Sequence, residues 1–485
     1  MAERRLVGID LGIASMHTVR VLREDGSEVC RRRCQPTRKS LLEIEQASLR
    51  GTEPGVRLEV VMEPTGPAWL PVAVFFINRG HLVYRASSAQ SADLRRFFSR
   101  HAKSNGIDAE TLARLPLLAP QALQALRLPT ADQASLDRRV RVSDRLVRQI
   151  ARSKVRIKAL VRELLPMTPL SEDLTKADLA VLGKTGAEPH QLVAMGRTRL
   201  TRLIENSSQG HGGLARAEAW LDAAHLALEL YQDHPAVASE DRAAEVMTEV
   251  AVVHSLEAQL AVHRPQREVA YRRVDPEQLV RSLPAVAEVG GPTLAVFVAE
   301  PTRFPNGPHF RSFTGLAPRA SETGERDRKG QVMSKAGPRL LRTALVRAAN
   351  GARQQDPQLA RLYYLQMVER GASHQKALCV VAAHLAERLW LVARRQTPYE
   401  LRDTDGRPIT KAEGMAIAST QWKVPEEVRR RRRSKKTGKV PQQFLDGNAK
   451  SSAQGANTRR PSPSSILAAA TMASNPGPLR TNVST

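Results

Sequence analysis

Leu136, Val140, Val147, Ile150, Ile157, Leu160 and Leu164 recur at threes, fours and sevens between Asp132 and Leu165. That spacing predicts one long amphipathic helix, ended by Pro166. At 1.5 Å per residue it would reach roughly 50 Å, beyond what a compact domain needs. Its other face carries ten basic residues: Arg138, Arg139, Arg141, Arg145, Arg148, Arg152, Lys154, Arg156, Lys158 and Arg162. Only four acids interrupt them, which favours phosphate contact over a merely solvated face and singles out Arg145, Arg148 and Arg152. Further helices are expected at residues 213–231 and 237–262, with Pro265 as a break or kink. Residues 126–275 thus read as an all-α, coiled-coil-like arm able to pair with another copy.

The residues before the arm read differently. Apolar or alternating runs at Leu6 to Leu11, His17 to Leu22, Glu28 to Arg32, Leu58 to Met62 and His81 to Arg85 predict five strands, with Asp25-Gly26 turning a hairpin. Helices are expected between and after them. Three strands in hairpin order, then helix and strand in alternation, is the order of a ribonuclease-H-like α/β domain over residues 1–125. A mainly helical domain is expected over 276–400. It opens with Leu283-Pro284 and a Gly290-Gly291 turn between two short apolar helices, similar to a helix-hairpin-helix, and a Gly- and base-rich loop runs from Gly315 to Arg342. Residues 401–485 read as a linker and a disordered basic tail.

Charge narrows the class of partner. The 485 residues carry 74 Lys and Arg against 49 Asp and Glu, a net +25. The last 63 residues hold +10 of it and the body +15, so the folded part is basic in its own right and calls for a polyanion such as DNA. Three cysteines make no disulfide framework, and no signal peptide or membrane-spanning run is visible, so a cytoplasmic, nucleoid-associated protein without a membrane partner is expected.

Four residues stand out against this background. Asp10 ends the first strand, Glu63 ends the strand Leu58 to Met62, and Asn105 and Asp108 sit three apart at a helix start. Acids at neighbouring strand tips repel unless a cation joins them, and oxygen ligands from separate elements suit Mg²⁺. Two such ions can activate the attacking oxygen and stabilise the leaving one in phosphoryl transfer.

Gly8-Ile9-Asp10, Glu63-Pro64-Thr65-Gly66 and Lys103 to Ala113, then Gly315-Leu316-Ala317-Pro318, Ser321-Glu322-Thr323-Gly324, Ser334-Lys335-Ala336-Gly337 and Leu341-Arg342 resemble the DEDD-type insertion-sequence transposases. These are the bridge-RNA-guided recombinases, with a RuvC-like first domain and a serine nucleophile in the second. The resemblance implies that Asp10, Glu63 and Asp108 are metal ligands, with Asn105 where the family carries a third acid. It implies a hydroxyl nucleophile at Ser321 or Thr323, since the family's serine position, directly before Gly324, holds Thr323. Arg319, Arg326, Arg328, Lys329, Lys335 and Arg339 would then hold the scissile phosphate. A structured guide RNA and a dimer or tetramer whose subunits share the site are also implied. The alternatives are a RuvC-like junction nuclease using metal-activated water, and a nucleic-acid-binding relic in which Asn105 and Thr323 mark lost activity.

Overall fold

The structure, a computed structural model, describes residues 3–98, 104–210, 212–319, 322–323, 326–327 and 331–432. The chain opens with β1 (Arg5–Asp10), β2 (His17–Arg23) and β3 (Glu28–Cys34), then α1 (Arg38–Ser48), β4 (Leu58–Met62), α2 (Trp69–Asn78), β5 (Leu82–Arg85), α3 (Ser88–Phe98) and α4 (Asn105–Leu118). The strands form one sheet in the order β3-β2-β1-β4-β5; β1 to β3 run antiparallel, while β4 and β5 run parallel to β1. The expected Asp25-Gly26 hairpin forms, with Gly26 at φ +83° and the Asp25 carboxylate accepting from the Ser27 amide at 2.8 Å.

Central β1 is buried on both faces, and its alternation assigns them. Val7 and Ile9 pack with Val60 and Met62 against α1 and α2. Leu6 packs with Leu22 against Ala113 of α4, and Val61 packs against Leu112 and Leu115. Gly8 lies on the α4 side with Leu6. A Cβ there would fall 1.9 Å from the Ala109 carbonyl oxygen and 2.5 Å from the Ala113 nitrogen, so only glycine lets α4 lie this close.

The expected long helix is α5 (Ala131–Leu164), closed at its start by a capping box between Thr130 and Gln133. It is followed by α6 (Lys176–Thr185), α7 (Pro189–Ser208), α8 (Gly213–Tyr231) and α9 (Ser239–Val274). Helices α6 and α7 were not expected; their starts are the box of Thr175 with Asp178 and the Glu188 cap. Pro265 does not end α9, which runs through it on helix already fixed at both ends by packing.

The apolar stripe of α5 finds its partner in the same chain. Ion pairs Asp132–Arg273 and Lys154–Glu257, with Arg139 donating to Gln266 at 2.6 Å, set α5 and α9 antiparallel. Near Leu136, Val140, Ala270 and Tyr271 the pair joins the core of the C-terminal helices. Further out it forms a separate core with α6 to α8, around the fully buried Trp220. Val147, expected in the stripe, is 44% exposed, and Leu146 is buried in its place.

The remaining elements are α10 (Gly290–Val298), α11 (Gly307–Thr314), β6 (Glu322–Thr323), β7 (Arg326–Asp327), α12 (Arg339–Ala352), α13 (Pro357–Tyr364), α14 (His374–Arg395), α15 (Lys411–Thr420) and α16 (Glu426–Arg431). Gly290 and Gly291 are not the turn of a helix-hairpin-helix. They begin α10, preceded only by a short 3₁₀ turn at Leu279–Ser282, and a Cβ on Gly291 would press on Arg281 at 2.9 Å. Residues 401–432, expected as linker and tail, contain α15 and α16. A capping box of Thr410 with Glu413 starts α15, and Arg432 donates to the Gly371 carbonyl at 2.7 Å. Asp356, fully buried, ties α13 to α14 by accepting from Arg388 at 2.5 Å and from the Tyr399 hydroxyl at 2.6 Å. The rest of the expected tail, 433–485, lies outside the described residues.

Candidate active site and nucleic-acid surfaces

Parallel pairing of β1 with β4 sets Ile9 opposite Met62, so Asp10 and Glu63 are the next residues at the same end of adjacent strands. By alternation Asp10 follows Gly8, and Glu63 follows Val61, onto the side covered by α4. The loops beyond them touch, since a Cβ on Gly66 would meet the Ile13 side chain at 3.5 Å. The loop after β1 is anchored by His17, whose Nδ1 accepts from the Gly12 amide at 3.2 Å. His17 is buried, and burial holds its pKa below the ordinary histidine value.

Helix α4 brings the second pair of ligand candidates over the same sheet. Ser104 caps it by accepting from the Ile107 amide, which sets Asn105 exposed at its start and Asp108 in its first turn. Asp108 precedes Ala109, the residue whose carbonyl oxygen meets Gly8. Arg95 of α3 holds the Asp108 carboxylate at 3.2 Å. Among the described residues, no three His, Cys, Asp or Glu side chains stand close enough to share a metal ion. The donor set of carboxylate and amide oxygens is chemically that of a hard divalent cation, and Arg95 supplies the positive charge beside Asp108 in this structure.

The loop expected from Gly315 to Arg342 contains a ribbon that spacing did not reveal. Arg319 donates its amide to the Val332 carbonyl at 3.0 Å, Ser334 to Ala317 at 2.9 Å and Lys335 to Gly315 at 3.1 Å. Farther out, Glu322 pairs with Asp327 and Thr323 with Arg326. Ser321, Arg328 and Lys329 lie outside the described residues, and Arg326 is placed by its backbone alone. The ribbon's root is tight. Gly315 closes α11 at φ +72°, a Cβ on Gly337 would fall 1.9 Å from the Phe313 carbonyl oxygen, and the Arg342 guanidinium reaches the carbonyls of Thr314, Lys335 and Gly337 at 3.2–3.4 Å.

A cleft of about 810 Å³ lies next to these two regions without including their candidate residues, and no motif announced it. Pro64, beside Glu63, and Arg85, at the end of β5, line one wall; Arg303 and Glu300 line the other, with Arg127 between them. The Arg85 guanidinium stacks 4.2 Å above Trp69, and Arg303 lies 4.9 Å from the Phe313 ring at the ribbon's root. Burial, then the nearby charge of Arg303, holds the Arg85 pKa below its ordinary value. Three arginines facing one cleft with a single carboxylate make a surface for an anionic chain. Their sequence signal, lone arginines after a short strand and after a proline, resembles dozens of others in this chain.

The expected arm arginines divide into two groups. Arg148 is held by Asp144 one turn away, and Asp144 also receives Arg339 from α12 at 3.1 Å. Arg138, Arg145 and Arg152 are exposed and make no ion pair among the described residues. Seven residues apart, they stand in one row at intervals of about 10 Å, two turns each. That interval matches three steps of 3.4 Å along one DNA strand.

Two family models match this chain. Residues 7–166 match a model of DEDD-type transposases of the IS110 group, described as a transposase, and residues 277–364 match one described as the IS116/IS110/IS902 transposase family. A Streptomyces coelicolor protein described as an uncharacterized 43.6 kDa protein of insertion element IS110 is 26% identical over 359 residues, 72% of this chain and 84% of its own.

Proposed function

The chain belongs to the IS110 family of transposases, and from that premise we propose that the cleft between Glu63 and the ribbon is where it cuts and exchanges DNA strands. The observation that carries this reading is a basic cleft that has Pro64, the neighbour of Glu63, in one wall and Arg303, packed on Phe313 next to the ribbon, in the other. A strand lying there places its phosphates on Arg85, Arg127 and Arg303. The strand order β3-β2-β1-β4-β5 supports a ribonuclease-H-like reading of the first domain.

Asp10, Glu63, Asn105 and Asp108 are the residues that would hold divalent metal, most suitably Mg²⁺. Bound there, the metal would supply Lewis-acid polarisation of a phosphate and charge neutralisation. The chain's own residues do the positioning. Gly8 lets α4 hold Asp108 against the sheet, and Arg95 keeps its carboxylate oriented. A hydroxyl at Ser321 or Thr323 attacks phosphorus and expels the DNA 3′ oxygen, which leaves with a proton. The protein–phosphate ester conserves the bond, so attack by the new strand restores a phosphodiester and frees the hydroxyl. Arg319, Lys335 and Arg339, with Arg326, Arg328 and Lys329, neutralise the phosphate. Since Arg339 spans to Asp144, it joins the ribbon's exit to α5. A structured guide RNA, held along Arg138, Arg145 and Arg152, and a shared site in an oligomer complete the reading.

Strand exchange between matched DNA substrates, with copurified RNA and Mg²⁺, tests it. Asp10→Ala should abolish exchange, and the double variant Ser321→Ala with Thr323→Val should abolish both exchange and a covalent protein–DNA adduct. Cleavage persisting without an adduct in the double variant would establish the nuclease alternative, and exchange untouched by Asp10→Ala would remove the acids from the site.

A further inference from the structure

A second cavity, about 600 Å³, opens among α5, α9, α10 and α12, and no residue of the cleft lines it. Arg267 of α9 forms part of its wall with only 6% of its surface exposed. No carboxylate among the described residues pairs with it. Glu268, its neighbour in sequence, is taken by Arg281 at 2.5 Å and Arg272 at 3.2 Å, and the remaining acid in reach, Glu288, makes no ion pair. Burial first, then the like charge of Arg264, holds the Arg267 pKa below its ordinary value. A nearly buried guanidinium with no direct carboxylate partner, facing a cavity, is placed to receive an anion held there.

The other walls fit more than a bare ion. Arg264 and Arg347 stand exposed at the rim without ion pairs among the described residues; of the two carboxylates in the walls, Asp144 is taken by Arg148 and Arg339 and Glu288 makes no ion pair, so the balance stays positive. Val147 and Val289, 44% and 59% exposed, turn apolar surface to the same space. The floor is strained: Ala285 sits at φ +59°, its amide held by Gln355 at 3.1 Å and its methyl fitting only because residue 351 is glycine.

We propose that this cavity binds a nucleotide, its phosphate on Arg267 with Arg264 and Arg347 and its base against Val147 and Val289. The nucleotide is either free or unstacked from a bound strand, and only the second source rests on the proposed nucleic-acid function. Val147, left off the buried stripe of α5, acquires a role as an apolar wall for the base.

Adenosine 5′-monophosphate and a short single-stranded oligonucleotide, each added to the full chain, distinguish the sources. Thermal unfolding and fluorescence anisotropy are the readouts. At least one probe should raise the melting temperature of the wild type, and Arg267→Met should weaken that probe at least about tenfold, as expected for loss of a charge-assisted hydrogen bond. Without ligand, Arg267→Met should melt no lower than wild type, because it removes an uncompensated charge while keeping the volume. Arg264→Ala, at the rim, should weaken binding less. Response to the mononucleotide assigns a free ligand, and response to the oligonucleotide alone assigns a strand nucleotide. Neither probe binding, unchanged affinity in Arg267→Met, or a ligand-free melting temperature several degrees lower in that variant would each overturn the proposal. Asp10→Ala should leave this binding intact even where it abolishes strand exchange, so the two readings fail separately.

Discussion

Replacing Gly8 by alanine tests whether the acids work as one constellation. The added Cβ would lie 1.9 Å from the Ala109 carbonyl oxygen, and ordinary contact begins near 3.4 Å, so α4 must withdraw by roughly 1.5 Å at that point. Neither opposing atom belongs to a side chain that can swing away; both are helix backbone. Overpacking of this kind costs about 1–3 kcal/mol, which a domain of ordinary stability survives. The functional cost is larger in proportion. Asp108 rides on the displaced helix while Asp10 stays on β1, and a shift of about 1 Å between catalytic groups costs on the order of a hundredfold in rate. Gly8→Ala should therefore remain folded in urea titration and lose about two orders of magnitude in strand exchange. Gly80→Ala is the control, because Gly80 adopts φ +81° in open space, so alanine there strains the backbone without moving α4. A folded Gly8→Ala protein exchanging strands at the wild-type rate would refute the convergence of α4 with the strand ends.

Three further outcomes follow from particular contacts. Asp356→Ala leaves Arg388 and the Tyr399 hydroxyl without their buried acceptor and should cost about 3–5 kcal/mol in urea unfolding; a loss below 1 kcal/mol would mean that water takes its place. Asp144→Asn releases Arg148 and Arg339, so binding to random duplex should tighten and its log–log salt slope steepen by up to about 0.9 per arginine freed; a flatter slope would show that Asp144 serves binding by holding them. Burial lowers the His17 pKa in the folded state, so below roughly pH 6.5 the unfolded chain takes up a proton that the folded chain refuses. Stability should fall as pH drops through that value, less so in His17→Gln, and equal acid sensitivity of the two proteins would discount the histidine.

What was legible in the sequence follows from how local each signal is. Strands and their order showed because branched apolar runs and Asp25-Gly26 act over a few residues, and α5 showed because its stripe persists for nine turns. Pro265 misled because a local rule met tertiary packing: α9 is held by α5 on either side of the proline. Gly290 and Gly291 misled because glycine serves close approach as well as turning, and here Arg281 occupies the space a side chain would need. In the candidate site, Asp10 and Glu63 were legible as strand ends. Arg95 beside Asp108, the cleft arginines and the shared Asp144 were not, since each depends on contacts between elements distant in the chain.

The surplus charge can now be argued by position. With 74 bases and 49 acids, 25 bases exceed one-to-one pairing in any fold of this chain, so their locations carry information that the total does not. On α5 the pairing is selective. Arg141 and Arg148 meet acids on their own helix, and Lys154 and Arg156 meet acids on α9. The last two fix the helices to each other, whereas Arg138, Arg145 and Arg152 are left in register, exposed and without ion pairs among the described residues. Arg139, Lys158 and Arg162 also lack acid partners, but Arg139 and Lys158 are held by Gln266 and the Glu172 carbonyl. If the row grips a phosphate backbone, removing all three charges should lower the salt slope by close to three phosphates' worth, about 2.7, while removing Arg141, Lys154 and Arg156 should change stability and leave the slope nearly unaltered. Equal slopes from the two triple variants would show that only bulk charge matters and that the periodic row is incidental.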